Sequence, residues 1–586
     1  MFAIGVIVLA IVLALKFSPK DHDAHDAGAA KKNAHIQTAG QIGLLGAVAL
    51  FGVDYFSSFF YATGEMMHAL HPLGLQSYAW VPVVVVALVN IIFGGLYIYA
   101  LGIFRDGGGS YTASMRYLAP VLSLIVAVTL LEDYILTVVV SALSGADQFL
   151  SITNNFNASW IIHFGIGAAL ATATWFITIR GRGESARAVF ALLAVFVVLT
   201  LIMAGGLVYA AASNSVAPVS SAVISSEAAQ HEPTLGEALF ALLGASMKGL
   251  VALTGLEAMS NGIQFVKDED ISPIRWAKRR LPKFSRLWNF YSGKVGIGRF
   301  VQSSFLFYGG LTTAFAAIFA VHFNVFDGTA GRTLIGNLAF VGFSIFPNGD
   351  ILFGAYQLLS VLLLAAASMT AFQDTQATAW RDVAIGEIPQ WVCYRDAKGT
   401  FTRSVTATWV VAVFIMLLVG GNTSHAIPFY GVGVFLPIGI MGLAVRRHIL
   451  LTMQNAHMRR LGAALAATAT VIAGIVFLSQ LFARWEEGGW IRIFTFTSLF
   501  GGAHLILMSR IGKRTPEQIK HIVIERARVQ GAMASIVEWQ SLKMQEYRYH
   551  LRTKINDLLF RRFGVHRPDE AAPMAAGPYN PALHLE

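Results

Sequence analysis

Long apolar runs recur along most of this chain and are separated by short polar connections. A run of about 20 apolar residues is long enough to cross a bilayer as an α-helix. Twelve such runs are predicted as core transmembrane helices, and a further optional one covers residues 2–16. The core segments lie near 41–69, 78–104, 119–147, 159–179, 188–213, 236–263, 300–323, 350–372, 404–420, 425–445, 461–483 and 489–508. The pattern predicts an all-α polytopic membrane protein.

Composition and charge placement agree with this prediction. The 586 residues are 55% hydrophobic and only 13% charged. Basic residues concentrate in alternate connections, around 180–187, 267–299 and 446–460, whereas 70–77, 150–158 and 214–235 contain no Lys or Arg. The positive-inside rule therefore places the start of the first core helix and the C-terminal tail in the cytoplasm of a cell inner (plasma) membrane protein. The basic patches are expected to face anionic lipid headgroups rather than nucleic acid.

The domain organisation follows from the same pattern. Residues 1–16 are interpreted as an extra N-terminal transmembrane helix, with a signal peptide as the alternative, and 17–40 as a polar linker. The transmembrane domain covers 41–508, divided into repeat one (41–213), repeat two (236–445) and peripheral helices (461–508). In the basic tail, 509–586, apolar positions from Met533 to Leu558 recur at spacings of four and three. This stripe favours a coiled-coil homodimer over an amphipathic helix that lies on lipid.

Two polar interruptions break the apolar pattern. GVDYFSSFFYATGE at 52–65 places Asp54 inside the first core segment. A charged side chain near the bilayer centre costs roughly 2.5 kcal/mol or more, so Asp54 is expected to have a partner, a bound cation or a proton. Five segments later, ALTGLEAMSNG at 252–262 contains Thr254, Gly255 and Glu257. Paired discontinuous helices in corresponding positions indicate an inverted-repeat transporter that binds its substrate at the breaks.

The third core segment adds further polar groups. Asp133, Thr137 and Ser141 fall on one helical stripe, because residues four apart share a face. Carboxylate, phenol and hydroxyl oxygens suit a hard monovalent cation that must shed its water. Structural roles are open alternatives: buried carboxylates can be locked in interhelical hydrogen bonds, interior tyrosines often fill helix interfaces, and Lys248 is a candidate counter-ion for Asp54 or Asp133.

Six ordered stretches of the chain resemble the amino acid-polyamine-organocation (APC) superfamily, and particularly its KimA-type potassium-proton symporters. They are DYFSSFFYATGE at 54–65, DGGGSYT at 106–112, DYILTVVVSALSG at 133–145, RGRGESA at 180–186, ALTGLEAMSNG at 252–262 and HAIPFYGVGVFLP at 425–437. The resemblance implies an APC/LeuT-like fold with 5+5 inverted repeats, interrupted helices 1 and 6, and a homodimer.

The resemblance also implies a set of site residues. The potassium-binding positions are Asp54, Tyr61, Tyr134, Ser141 and Tyr430. The positions linked to a second ion or a proton are Asp133, Thr254 and Glu257. Potassium and the coupled proton are then the transported species, and no cofactor or transition metal is implied. The predicted activity is secondary active potassium uptake, as potassium-proton symport by alternating access.

Two alternatives remain open from the sequence. One is an amino acid or polyamine permease of the same superfamily, although an acidic residue at the first break would repel a substrate carboxylate. The other is a membrane sensor or scaffold whose output comes from the tail. Enzymatic chemistry is not predicted, because the chain shows no nucleophile elbow or nucleotide loop; Gly107, Gly108 and Gly109 lack the lysine of a phosphate-binding loop and are expected to shape a reentrant turn.

Overall fold

A computed structural model describes residues 42–105, 107–118, 120–180, 185–214, 216, 233–385, 401–483, 493–501, 551 and 554. This part of the chain is helical apart from turns, loops and one isolated β-bridge. It contains ten helical segments long and apolar enough to cross a membrane. The predicted all-α polytopic architecture is confirmed. The predicted N-terminal helix at 1–16, the linker at 17–40 and nearly all of the tail from 509 lie outside the described residues.

The helices are numbered here in chain order. The first half contains α1 (Leu44–Ser57), α2 (Phe59–Leu70), α3 (Trp80–Ile103), α4 (Gly109–Tyr117), α5 (Pro120–Ile152), α6 (Trp160–Ile179) and α7 (Ser185–Ser213). The second half contains α8 (Leu235–Gly249), α9 (Ala258–Gly262), α10 (Ser272–Arg280), α11 (Ser285–Phe290), α12 (Gly293–Phe323), α13 (Leu334–Ser344), α14 (Gly349–Ile385), α15 (Thr402–Leu418) and α16 (Thr423–Thr452). They are followed by α17 (Ala456–Ala483) and a helical stretch at 493–501.

Several helices extend past the apolar runs that predicted them. α5 continues to Ile152, five residues past its predicted end, and α12 begins at Gly293, seven residues before its predicted start. α14 runs to Ile385, although the apolar run ends at 372. Polar residues can continue a helix in these places because its backbone hydrogen bonds are satisfied within the helix itself. Hydropathy therefore underestimates how much polar chain is helical.

The two predicted interruptions are present, five segments apart. The first separates α1 from α2 at Ser58, which keeps right-handed helical dihedral angles. The second is a full break: α8 is followed by a 3₁₀ turn, Leu250–Leu253, and the chain then leaves the helix at Thr254, whose ψ is 147°. Gly255 has a φ of +85° before the chain resumes a helical path into α9. These two interrupted helices confirm the predicted fold class.

The interrupted helices lie within the bundle. Because successive membrane segments alternate in direction, the direction of α1 sets that of the others. α1 packs against α7, α12 and α14, while α5 packs against α14 and α16. We call the side at which α1 begins the inner side, which the loop charges predict to be cytoplasmic, and the opposite side the outer side. On the inner side, Ile42 pairs with Val266 in the β-bridge, which joins the start of α1 to the end of the second interrupted helix.

Candidate functional site

The break in the second interrupted helix is packed directly against the first. A Cβ added to Gly255 would lie 2.9 Å from the backbone nitrogen of Tyr55 and 3.0 Å from Asp54 Oδ2. Gly255 also has positive φ, which L side chains rarely adopt. Glycine is therefore needed here both for the turn and for the close approach of the two helices. Nearby, the buried Gln302 donates a hydrogen bond of 3.2 Å to the Leu256 carbonyl, which supports the unwound backbone.

A small cavity of about 40 Å³ opens beside this junction, between α1, α5, α9, α14 and α16. Five of the predicted site residues line it: Asp54, Asp133, Tyr134, Glu257 and Tyr430. Residues from both predicted repeats thus meet at one cavity. Carboxylate and phenol oxygens dominate its polar lining, as expected for a site that binds a cation.

Asp54 is the buried carboxylate at the centre of this arrangement. Its side chain is 8% exposed, and its Oδ1 atom has no hydrogen-bond partner among the described residues. Buried polar atoms are nearly always hydrogen-bonded, and a buried charge without compensation is costly. The backbone carbonyl of Asp54, in contrast, accepts hydrogen bonds from the hydroxyls of Ser57 and Ser58. The orphaned carboxylate oxygen therefore indicates a place for a cation or a proton.

A layer of hydroxyl groups lies on the outer side of Asp54 and links four helical segments. Ser58 Oγ is 2.9 Å from the Tyr61 hydroxyl and 2.8 Å from Thr254 Oγ1. Thr137 Oγ1 is 3.0 Å from the Tyr430 hydroxyl, and Tyr430 also interacts with Tyr61 and Thr254. Two predicted site residues, Tyr61 and Thr254, thus belong to this layer rather than to the lining of the cavity. We call these five residues the hydroxyl layer.

Ser141 lies one helical turn outward from Thr137 on α5. It is 1% exposed and does not line the cavity. Its hydroxyl has no hydrogen-bond partner within the described chain. The structure therefore places Ser141 beside the hydroxyl layer along α5, and apart from the cavity that contains Asp54.

Glu257 is held by a set of hydrogen-bond donors. Its Oε1 accepts from the backbone nitrogen of Ser110 at 2.7 Å and from the Ser110 hydroxyl, and its Oε2 accepts from the Tyr97 hydroxyl at 3.1 Å. Donors of this kind stabilise an ionised carboxylate. The backbone donor belongs to the first turn of α4, where free N–H groups favour a negative charge.

The three consecutive glycines of the DGGGSYT stretch bring α4 to this position. Gly107, Gly108 and Gly109 all have positive φ, at 78°, 84° and 46°. A Cβ on Gly109 would overlap both Glu257 Oε1 and the side-chain oxygen of Asn261. The structure thus agrees with the predicted reentrant turn, whose close packing aims a helix N-terminus at Glu257.

Lys248 pairs with a different carboxylate from Asp54 and Asp133, for which it was a candidate counter-ion. Its Nζ lies 3.8 Å from Glu65 Oε2, which links α8 to α2. Glu65 is 5% exposed and lies eleven residues outward from Asp54 along the first interrupted helix. Since this distance is about three helical turns, Lys248 is a counter-ion for Glu65 and leaves the carboxylate of Asp54 available.

The fold brings four further residues to the site that hydropathy and the motifs did not single out. Tyr97 and Ser110 contact Glu257, and Asn261 donates a hydrogen bond of 2.6 Å to the Tyr134 hydroxyl. Asp374 lines the cavity at the far end of α14. The apolar run of that segment ends at 372, so hydropathy placed Asp374 outside the membrane. A carboxylate two residues past an apolar run is the only sequence signal for it.

The described residues contain no group of three or more His, Cys, Asp or Glu side chains arranged to hold a metal ion. The polar groups that line the cavity are carboxylates, phenols, a hydroxyl and an amide, and they come from several helices. Oxygen ligands of this kind suit hard cations rather than soft transition metals. This arrangement can bind a monovalent cation and exchange protons.

Comparison with known proteins identifies the family of this chain. Residues 42–485 match the amino acid permease family. The potassium transporter KimA of Bacillus subtilis (strain 168) is 28% identical over 415 residues, which cover 68% of this chain and 61% of KimA. The match thus spans less than two thirds of that relative's own length.

Solved structures with similar folds include two transporters. MhsT in complex with L-phenylalanine is 16% identical, with 74% of this chain and 98% of MhsT covered and a TM-score of 0.39. The Eremococcus coleocola manganese transporter in complex with an aromatic bis-isothiourea compound is 12% identical, with coverages of 83% and 96% and a TM-score of 0.40. The family match covers most of the chain, and the match to KimA agrees with the ordered motifs. The chain belongs to the amino acid permease family of the APC superfamily and is a multi-pass membrane protein.

Proposed function

We propose that this transporter takes up potassium together with protons by alternating access. The observation that carries the proposal is the buried Asp54 Oδ1, which lacks a hydrogen-bond partner in the described chain and lies at a cavity lined by other oxygen ligands. A bound monovalent cation would compensate the buried charge. The similarity to KimA, a potassium transporter, supports potassium as that cation.

The proposed potassium site combines ligands from the cavity and from the hydroxyl layer. Asp54 supplies the charge, and the phenol oxygens of Tyr134 and Tyr430 face the same cavity. Tyr61 and Ser141 are the remaining proposed ligands; both are buried on the outer side, in or beside the hydroxyl layer, and would have to approach the ion from there. Neutral oxygens replace the water that potassium sheds, and the carboxylate compensates its charge.

Glu257 is the proposed proton carrier, with Asp133 and Thr254 beside it in the second-ion position. A carboxylate that exchanges protons needs neighbours that donate a hydrogen bond to its ionised form and accept one from its protonated form. The Tyr97 hydroxyl donates to ionised Glu257 and can accept from the protonated acid after rotating about its C–O bond. Asp133 and Glu257 line the same cavity as Asp54, so a cation that arrives there favours release of the proton.

We infer an inward-oriented state in this scheme. The hydroxyl layer separates Asp54 from the outer side, whereas the cavity extends toward the inner side. Opening to the outer side requires the hydrogen bond between Ser58 and Thr254 to break, because this bond joins the two interrupted helices. Alternating access would then consist of breaking this layer on one side and closing the cavity on the other.

The alternative substrates fit this site less well. An amino acid carboxylate would meet Asp54 at the helix break and be repelled. A polyamine needs several acceptors for its ammonium groups, and Glu257 already accepts hydrogen bonds from Ser110 and Tyr97. A sensor role would act through the tail, which lies almost entirely outside the described residues.

The test is rubidium-86 uptake into proteoliposomes, with and without an inward proton gradient. We expect gradient-stimulated uptake by the wild type and its loss in Asp54→Asn. Glu237→Gln is the matched control, since Glu237 is exposed at the capping box of α8 and its replacement keeps the capping geometry. Normal uptake by a correctly inserted Asp54→Asn protein would refute the proposal. Uptake blocked by polyamines but not by excess potassium would instead identify an organic-cation permease.

A further inference from the structure

The cavity is elongated along the bundle axis, from Asp54 toward the inner side. On α16 its lining residues are Tyr430, Val434 and Ile438, which lie one turn apart in succession. Eight residues of α-helix span about 12 Å. On α5 the lining runs from Thr137 back to Leu130 in the same direction, over a distance of about 10 Å. The two helices therefore outline a passage about two turns long on the inner side of Asp54.

Asp374 stands at the inner end of this passage. Thr370, one turn before it on α14, donates a hydrogen bond of 3.1 Å to the Leu50 carbonyl of α1. α14 and α1 run in opposite directions, so Asp374 lies one turn inward from this contact and Asp54 one turn outward. The axial separation of the two carboxylates is thus about 12 Å, which matches the length outlined by α16.

The surroundings of Asp374 are those of a functional carboxylate. Its side chain is 8% exposed and lines the same cavity as Asp54. Leu130 and Ile438 contribute apolar walls to the same inner stretch of the cavity. Carboxylates buried within membrane segments usually mark ion or proton pathways. The orphaned oxygen of Asp54 at the other end independently indicates that a cation enters this cavity.

We propose that Asp374 forms a second cation station, which binds the transported monovalent cation after it leaves Asp54 and before it reaches the inner side. This inference rests on the proposed function and adds a release step to it. A cation held by one buried carboxylate leaves slowly unless a second favourable position lies within reach. Two stations about 12 Å apart along the passage lower that barrier while the outer layer stays closed.

The proposal separates the role of Asp374 from that of Asp54. In Asp374→Asn, we expect the maximal rate of rubidium uptake to fall about tenfold, while the external rubidium concentration for half-maximal uptake stays within about twofold of the wild-type value. In Asp54→Asn, uptake is lost altogether. Rubidium release from preloaded vesicles should be slowed in Asp374→Asn to the same extent. A raised external half-saturation concentration, or a rate equal to the wild-type rate, would overturn the proposal.

A second measurement does not depend on the identity of the substrate. The chain has a single cysteine, so Asp374→Cys in a Cys393→Ser background offers one reactive thiol. We expect a cationic thiosulfonate to modify it from the inner side only, and faster than its anionic counterpart. Asp350→Cys, at the exposed outer end of the same helix, is the matched control and should react from the outer side. If the thiol at position 374 reacts from the outer side, or reacts equally fast with the cationic and the anionic reagent, the proposed passage is refuted.

The two experiments also distinguish this inference from the proposed function. If the wild type carries no rubidium, potassium transport fails as the proposed function, whatever the labelling shows. Inner-side, cation-selective labelling at position 374 would then still support a cation passage at this position, for a different cation. Rubidium uptake can depend on Asp54 while Asp374→Asn transports at the wild-type rate and position 374 shows no inner-side, cation-selective labelling. In that case only the second station is refuted.

Discussion

A Cβ on Gly255 would stand 3.0 Å from the carboxylate oxygen Oδ2 of Asp54, so the two interrupted helices touch at the charged residue itself. This contact explains why the break in the second helix is also a boundary of the cavity. Any movement of the break changes the space beside Asp54. The candidate site and the helix break are therefore the same part of the structure.

Gly255→Ala tests this contact. The added methyl group would meet the backbone of Tyr55, and alanine at positive φ costs about 1–2 kcal/mol. We expect a lower melting temperature in detergent and a loss of rubidium uptake. Gly95→Ala is the control, because a Cβ there meets nothing within 4 Å. Wild-type stability and uptake in Gly255→Ala would show that the close approach is not required.

Glu257→Gln tests proton coupling. A glutamine cannot exchange a proton, so we expect stimulation of rubidium uptake by an inward proton gradient to fall at least about tenfold, equivalent to about 1.4 kcal/mol. Ser110→Ala should reduce it less, since the backbone donor of Ser110 remains. Ser114→Ala is the control, because that hydroxyl bonds to the Tyr111 carbonyl on the same helix. Full stimulation in Glu257→Gln would assign the proton to another group.

The ion pair between Lys248 and Glu65 should be structural. Lys248→Met leaves Glu65 buried without its counter-ion, and we expect a loss of stability of up to about 3 kcal/mol. The double variant Lys248→Met, Glu65→Gln removes both charges and should recover most of that loss. Thermal unfolding of Lys248→Met, of Glu65→Gln and of the double variant measures the coupling. Equal losses in Lys248→Met and in the double variant would show that the two charges do not interact.

Asp327 on the outer side should make stability depend on pH. Burial raises the pKa of Asp327 to about 7, against the opposing effect of the Leu334 N–H, while Glu65 and Asp147 add to the rise. The native state therefore retains a proton that the unfolded chain releases near pH 4, so this group lowers stability as the pH rises from about 4 to about 7.

We expect the melting temperature of the wild type to fall between pH 5 and pH 8, and Asp327→Asn to lose part of that fall. Asp350→Asn, at an exposed position on the same side, should keep the wild-type pH dependence. Thermal unfolding across this pH range measures both. An identical pH dependence in Asp327→Asn and the wild type would mean that Asp327 is ionised throughout.

The hydropathy pattern located most of the membrane segments and showed which of them are interrupted. Hydrophobic runs report whether a helix can face lipid, and a polar group within such a run is costly enough to be informative wherever it occurs. Asp54 and Glu257 were therefore visible as exceptions. The ordered motifs then supplied the family, which the comparisons confirmed.

Which of these groups meet depends instead on how the helices pack. Ser58 and Thr254 are 196 residues apart in the chain, and Asn261 and Tyr134 are 127 apart, yet each pair is hydrogen-bonded. Such contacts depend on how helices pack, and local hydropathy carries no information about packing between distant segments. Asp374 is the clearest case: the sequence shows a carboxylate just past an apolar run, whereas the fold buries it at the inner end of the cavity.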